Sequence, residues 1–522
     1  MTSHRADRLW RRFNQYMQNA QSAAARATLE SLVLLTPNDP RARIEQAKLI
    51  LNSGQVRAAT TALLEIVPLL PAEDAGQHCE LAQLLISVGE VLTARQCLDQ
   101  AESISSPSAA ALVRLAHARH SLGELRKALE LMERAIAAGA DSPYDHHFHG
   151  MLLQFVGRIT EAREILDSCV HRWPAFGSAA LTLARLQRQT AESQHLDYLR
   201  DQLEHVPPNT LDHASFEFAL FKELDDLGRY DEAWPALGRA NAIMHARNPY
   251  DEEGDERVIN ETIRVCGHEA LGTADTCDDF DGPVPIFIVG PPRSGTTLLD
   301  RMLGNHPAIT SAGELGDFLH QWRWMANLAG ARPQDFIDGL RRTNDFDFRQ
   351  LGARYLKQTQ WRANGSPYFI DKMPNNLTLI GFIKRALPHA KILCMTRDPM
   401  AVCFSNFKAM FGDRSAHSYD LQLLGRFHQL LTRIHDHWQT TMPGAVLDVP
   451  YAALVKKPEA VIRQVLEFCG LEFAPECLDP TRNAAPVSTP SSAQVREAIH
   501  GRGVDEWRHY EAHLAPLKVS LG

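Results

Sequence analysis

Glycine falls at positions 54, 89, 123 and 157, at intervals of 35, 34 and 34 residues, and each is followed five residues later by alanine: Ala59, Ala94, Ala128, Ala162. The surrounding phrases are alike (NSGQVRAA, SVGEVLTA, SLGELRKA, FVGRITEA), and LGRYDEA repeats the pair at Gly228 and Ala233 about two periods further on. A fixed period of this size marks a supersecondary unit that cannot bury its apolar face alone, so neighbours must stack into an array. The glycine ends the first helix of each unit, because it accepts a left-handed backbone at little cost. The alanine lets the second helix approach closely. Pro37, Pro71, Pro107, Pro143 and Pro174 punctuate the unit ends.

The period resembles that of the tetratricopeptide repeat. The likeness runs over Ala20–Ala246, with a degenerate unit near Leu181–His205. It implies an all-α solenoid whose concave face holds a protein or peptide partner; a superhelix that only supports the next domain is the plainer alternative. His146, His147 and His149 are read as loop or helix surface rather than metal ligands, since no carboxylate or cysteine nearby completes a set.

The second half is organised by Pro285–Leu303, PIFIVGPPRSGTTLLDRML. A short β-branched run leads into the turn Gly290–Gly295, and Leu298, Leu299, Met302 and Leu303 then follow at helical spacing. Strand, loop and helix in this order make a phosphate site from the first N–H groups of the helix and its dipole. The spacing mimics the nucleotide-binding loop G-x4-G-K-[ST], but Thr296 stands where the lysine belongs and Arg293 lies inside the loop. The loop therefore suits an anion, which need not be a magnesium-bound triphosphate. Further strands are expected at Ala308–Ala312, Tyr368–Asp371, Lys391–Thr396 and Ala445–Val449, and helices at Leu315–Leu328, Leu377–Leu387 and Ser418–Thr440, with Pro399 opening another. Such alternation predicts a parallel sheet covered on both faces, with ligands at the carboxyl ends of the strands. Arg293, Glu314, Lys372, Arg397 and Tyr451 occupy those ends. A nucleotide with two separated anions fits them, one in the loop and one at Arg397 and Ser405, eight residues apart.

Between the halves, residues 247–282 carry the acidic stretches DEEGDE and DTCDDFDG around one expected helix, Val258–Leu271. We read them as solvated connectors. The division is thus a repeat array over 1–246, a connector over 247–282 and an α/β domain over 283–522. A net charge of −9 weighs against a nucleic-acid partner. The nine cysteines are odd in number and contain no C-x-x-C pair, as in reduced cytoplasmic protein without a zinc site; Cys394 and Cys403 read as small buried apolar groups. With neither a signal peptide nor a membrane span in the sequence, a soluble protein is expected.

FIVGPPRSGTTLLDRMLGNHP resembles the 5′-phosphosulfate loop of sulfotransferases, and TRDPMAVCFSNF resembles their 3′-phosphate motif. IDKMPNN, VPYAALVKKPE and SSAQVREAI followed by WRHY resemble further segments of the tyrosylprotein sulfotransferases and of bacterial proteins joining tetratricopeptide repeats to such a domain. The interval of 21 residues from Arg293 to Glu314 also matches that family. The resemblance implies an α/β P-loop-like sulfotransferase domain that uses 3′-phosphoadenosine-5′-phosphosulfate without a metal. By it, Arg293, Ser294, Gly295, Thr296 and Thr297 hold the phosphosulfate; Arg397 and Ser405 hold the 3′-phosphate; Tyr451, Gln494 and Arg496 add cofactor contacts. Glu314 is the implied general base, with Lys372 and Arg293 as catalytic cations. The acceptor stays open between a peptide tyrosine, a glycan hydroxyl and a small phenol, as does homodimer formation. An atypical P-loop phosphotransferase and a repeat scaffold with an inactive nucleotide domain stand as alternatives.

Overall fold

A computed structural model describes residues 2–104, 107–267, 282–330, 332–489, 492, 496 and 498–522. The chain folds into two compact units, one of residues 1–140 with 316–359, the other of 141–315 with 360–522.

The first unit begins with helices in antiparallel pairs, among them Pro40–Asn52 with Val56–Ile66, Ala75–Ser87 with Val91–Glu102, and Ala109–Ser121 with Leu125–Ala137. This is the tetratricopeptide-type architecture. Gly54, Gly89 and Gly123 sit in the left-handed region between partners, and Ala59, Ala94 and Ala128 are fully buried. Arg119 is wholly buried yet bonds to Asp99, Glu102 and Glu124, so its charge is matched from three sides. Three helices from the second half of the sequence complete this unit: Asp317–Ala326, Pro333–Arg341 and Phe348–Thr359. They meet the repeat turns. Arg57 N–H donates to Asn327 Oδ1 at 2.9 Å, Gln321 Nε2 donates to the Gly89 carbonyl at 2.8 Å, and Arg354 Nη2 reaches Glu90 Oε1 at 2.6 Å.

The second unit holds the later repeats, from Pro143–Val156 to Tyr230–Arg247. Pro143 opens its helix behind a Ser142/Asp145 capping box. Gly157 and Gly228 are left-handed, and Ala162 and Ala233 are fully buried, as the period predicts. The histidines of the first of these helices are less superficial than expected: His149 is buried, His147 Nε2 pairs with Thr182 Oγ1 at 2.8 Å, and His146 Nε2 pairs with Asp141 at 2.9 Å. The helix expected at Val258–Leu271 instead spans Glu252–Val265. Asp251 caps it by accepting from Gly254 N–H at 2.9 Å, and Glu252, Glu253 and Asp255 fill its first turn. The first acidic stretch is thus a helix start favoured by the dipole, not a solvated connector. The second stretch lies, except for Gly282, outside the described residues.

The sheet is β1 (Val284–Val289), β2 (Ile309–Ser311), β3 (Tyr368–Asp371), β4 (Lys391–Thr396) and β5 (Val446–Pro450), in the order β2-β3-β1-β4-β5 and wholly parallel. Helix α1 (Thr296–Leu303) follows the loop, α2 (Pro399–Phe407) follows β4, α3 (Leu421–Thr441) precedes β5, and α4 (Pro458–Cys469) comes after it. Residues 374–386 start as a 3₁₀ segment with Pro374 in its first turn, and become α-helical only at Ile380. One face of the sheet packs Ile286, Ile288, Leu393, Met395 and Val449 against α1 and α4. Strand order reverses at β1, and the crevice at that switch is where open parallel sheets bind ligands.

Candidate active site

Each of five strands delivers one candidate side chain at its carboxyl end: the Arg293 loop after β1, Glu314 after β2, Lys372 after β3, Arg397 after β4 and Tyr451 after β5. The loop is built under tight constraint. Gly290 sits against the backbone of β4, where a Cβ would fall 2.5 Å from the Met395 carbonyl oxygen. Gly295 has φ +104°, and a Cβ there would fall 2.5 Å from the Tyr451 ring. Arg293 is itself left-handed at φ 69°. Turns of this kind gather backbone N–H groups into anion cradles, and the first N–H groups of α1 have no acceptor within the helix. Ser294, Thr296 and Thr297 are buried in the loop, and Ser294 Oγ has no hydrogen-bond partner among the described residues. That hydroxyl can donate to an anion held by the loop.

The two basic points adjoin. Arg293 Nε donates to Ser405 Oγ at 3.2 Å, and Arg397 Nη1 donates to the Arg293 carbonyl at 2.6 Å. Arg397 also stacks over the Tyr451 ring at 4.6 Å and donates through Nη2 to the Gly503 carbonyl. Asn406 Nδ2 braces the loop by donating to the Pro292 carbonyl at 2.9 Å. Burial, and then the nearby Arg397, lowers the pKa of Arg293 to about 10; burial also lowers that of Arg397. Crowded, desolvated guanidinium groups are relieved by an anion.

Glu314 and Lys372 form an ion pair at 2.5 Å, Lys372 1 % exposed and the glutamate side chain 35 %. Lys372 N–H also donates to the Gly313 carbonyl at 2.9 Å, which ties the ends of β2 and β3 together.

Four charged residues here, Asp300, Glu506, Lys408 and Arg185, are additional to those expected from the sequence. Asp300, on the buried side of α1, lies near Lys372; burial raises its pKa despite that cation. Glu506 pairs with Lys408 at 2.5 Å; burial raises its pKa, but Lys408, Arg397 and Arg293 outweigh that and hold it low. Arg185, from the degenerate repeat, donates to the Lys408 carbonyl at 3.5 Å, its pKa lowered to about 10 by burial and then by Arg293. Of these, only Asp300 lies within the quoted loop-and-helix segment.

Arg496 goes elsewhere. Its Nη2 donates to the Phe155 carbonyl at 2.8 Å, and its guanidinium packs on Gly157. Gln494 lies outside the described residues. Three described residues of the C-terminal part bond to the repeats: Val487 N–H to the Phe155 carbonyl at 2.9 Å, Ser492 to Gln154 at 2.9 Å and Tyr510 to Asp225 at 2.6 Å.

Residues 285–475 match the model of the sulfotransferase family. Among curated proteins, the chain is 29% identical over 378 residues to an uncharacterized protein of Aquifex aeolicus (strain VF5), covering 70% of this chain and 48% of the relative, about half its length. It is 23% identical over 256 residues to protein-tyrosine sulfotransferase 2 of Gallus gallus, covering 45% of this chain and 68% of that one. Among solved structures, it is similar to the sulfotransferase domain from the Synechococcus PCC 7002 olefin synthase, at 24% identity and TM-score 0.32 over 44% of this chain and 89% of that one. No helix among the described residues is long and apolar enough to cross a membrane.

Proposed function

We propose, from the match of residues 285–475 to the sulfotransferase family model, that the protein transfers a sulfonate group from 3′-phosphoadenosine-5′-phosphosulfate to an acceptor hydroxyl, with a peptide tyrosine as the first acceptor to test. We further propose that the repeats hold the protein or peptide that carries it, and that 283–522 is the catalytic module joined to the array of 1–246 through 247–282.

The observation that supports this reading is the bonded chain Ser405, Arg293, Arg397, which brings the residues proposed for the two anions together at one crevice. The Arg293–Thr297 loop would receive the phosphosulfate. Arg397 and Ser405 would receive the 3′-phosphate, with Tyr451 stacked beside them. Arg496 is left out of the donor contacts, since its guanidinium is used at the Gly157 turn.

The donor supplies the sulfonate: the acceptor oxygen forms the new S–O bond while the bond from sulfur to the bridging phosphate oxygen breaks. Glu314 accepts the acceptor's proton. Lys372, within reach of the carboxylate, stabilises negative charge on the departing oxygen, and Arg293 stabilises it on the transferred group.

Titration calorimetry with adenosine 3′,5′-bisphosphate and with ATP–magnesium tests the donor assignment. The bisphosphate should bind and ATP–magnesium should not; the reverse preference makes the domain a phosphotransferase. Arg397→Ala should weaken bisphosphate binding far more than adenosine 5′-phosphosulfate binding, and equal weakening removes Arg397 from the 3′-phosphate. Labelled sulfonate transferred into a tyrosine-containing peptide then tests the acceptor.

A further inference from the structure

The face of the sheet opposite the Ile286–Met395 core carries a group of polar side chains with no part in the reaction above. Cys394 on β4 and Asp448 on β5 are cross-strand partners, so their side chains leave the same face. His435 of α3 packs onto that face. The thiol sulfur, an imidazole nitrogen and a carboxylate oxygen all lie within 4.8 Å of one another. We propose that Cys394, His435 and Asp448 form a site for one zinc-class divalent metal ion that ties β4, β5 and α3 together.

The donor set is the first argument. Sulfur, imidazole nitrogen and one carboxylate oxygen together favour zinc over magnesium or calcium, which take oxygen alone. The surrounding shell is the second. His435 Nε2 faces Asp448 Oδ1 at 2.8 Å, while its Nδ1 lies 3.3 Å from the Asp436 carboxylate. A ligating histidine usually gives its other nitrogen such a carboxylate, which fixes the ring. Gln439 Nε2 holds Asp448 Oδ1 at 2.8 Å, a second outer partner. Access is the third. Cys394 is 1 % exposed, but the Asp448 side chain is 38 % exposed and the His435 side chain 18 %, so an ion can enter from solvent and keep water as its fourth ligand.

Tetrahedral zinc sets nitrogen and oxygen ligands about 3.3 Å apart. The 2.8 Å His435–Asp448 contact must therefore open slightly, and the half-exposed aspartate can move. The same three residue types also serve in cysteine hydrolases. Here a thiol 1 % exposed cannot meet a substrate. The ion's part is structural: Arg397 stands three residues beyond Cys394, so clamping the end of β4 fixes the base of that arginine.

Cobalt(II) is the probe. The full chain, stripped with a chelator and dialysed, should bind one equivalent and develop a near-ultraviolet thiolate-to-cobalt band with the intense visible bands of tetrahedral geometry. Zinc should displace the cobalt, abolish those bands and raise the Tm. Cys394→Ser should lose the near-ultraviolet band, and His435→Gln and Asp448→Asn should each weaken binding at least tenfold, with folding checked by circular dichroism. If Cys394→Ser does not fold, the other two variants carry the test. A missing charge-transfer band overturns the proposal. So does a band that survives in Cys394→Ser, which would arise from another cysteine, or undiminished binding in any of the three variants. None of these readouts depends on sulfonate transfer, so failure here leaves the proposed function untouched.

Discussion

Lys372 is a buried charge in the crevice. It is 1 % exposed, so its ammonium depends on the Glu314 carboxylate at 2.5 Å and on Asp300 nearby to replace the water it has lost. Lys372→Met keeps most of the chain length and removes the cation. If Lys372 acts on charge that develops during transfer, turnover should fall about 10²–10³-fold while bisphosphate affinity changes much less. Glu314→Gln keeps shape and removes the base, so turnover should fall about 10²–10⁴-fold with the bisphosphate still bound. Steady-state transfer assays paired with calorimetry separate the two effects. A Glu314→Gln protein that has lost bisphosphate binding would show the carboxylate to be part of the donor pocket and not the base. The strand-end positions of both were legible in the chain, Glu314 after Ile309–Ser311 and Lys372 after Tyr368–Asp371, since a polar residue at a strand end has one topological address. Glu506 and Arg185 were not, since what gives them meaning is a partner 98 or 223 residues away.

At the scale of elements, the strands are where sequence and structure agree most closely. Tyr368–Asp371 and Lys391–Thr396 span the expected residues, because a buried parallel strand is a bare apolar run with polar ends. Helix starts were harder: the Glu252–Val265 helix begins in acidic residues that also suit a solvated linker, and only the Asp251 cap decides between them. The 3₁₀ turn Gly412–Tyr419 offers a test by pH. Its His417 is buried and stacked on Phe427 at 3.6 Å, and burial pushes its pKa from 6.5 down to about 3. A depressed folded-state pKa means that protons bind the unfolded chain first. The contribution of the neutral ring is therefore complete above pH 6.5 and is lost as pH falls toward about 3. His417→Phe keeps the stack and removes the titration. Its Tm should fall less steeply than that of the wild type over this window; parallel curves would mean that other groups govern the acid transition.

For the whole molecule, the chain order hides one assembly. Residues 316–359 lie between β2 and β3 in sequence, yet they form one compact unit with residues 1–140. No periodicity announces this. The helices Asp317–Ala326 and Phe348–Thr359 have ordinary amphipathic patterns, and what fixes their place is polar: Arg57 to Asn327, Gln321 to the Gly89 carbonyl, Gln358 to Leu92 N–H, and Arg354 to Glu90. Trp324 is held on either side of this seam by Arg57 at 5.0 Å and Arg354 at 3.7 Å. Glu90 and Gln321 are buried, so separating the two segments would leave polar groups without partners as well as exposing apolar surface. The first repeats are therefore expected to be needed for the packing of a stretch of the second half, apart from any partner they bind. A chain beginning at Asp141 should retain its own later repeats and sheet, but residues 317–359 should lose their packing. Limited proteolysis read by mass spectrometry should then cut within 317–359 in the shortened chain at a dose that leaves the same stretch whole in the chain of 522 residues. Supplying residues 1–140 in trans should restore protection. Equal resistance with and without the first 140 residues would mean that these helices are held by their own contacts, and that the repeat turns at Gly54 and Gly89 merely touch them.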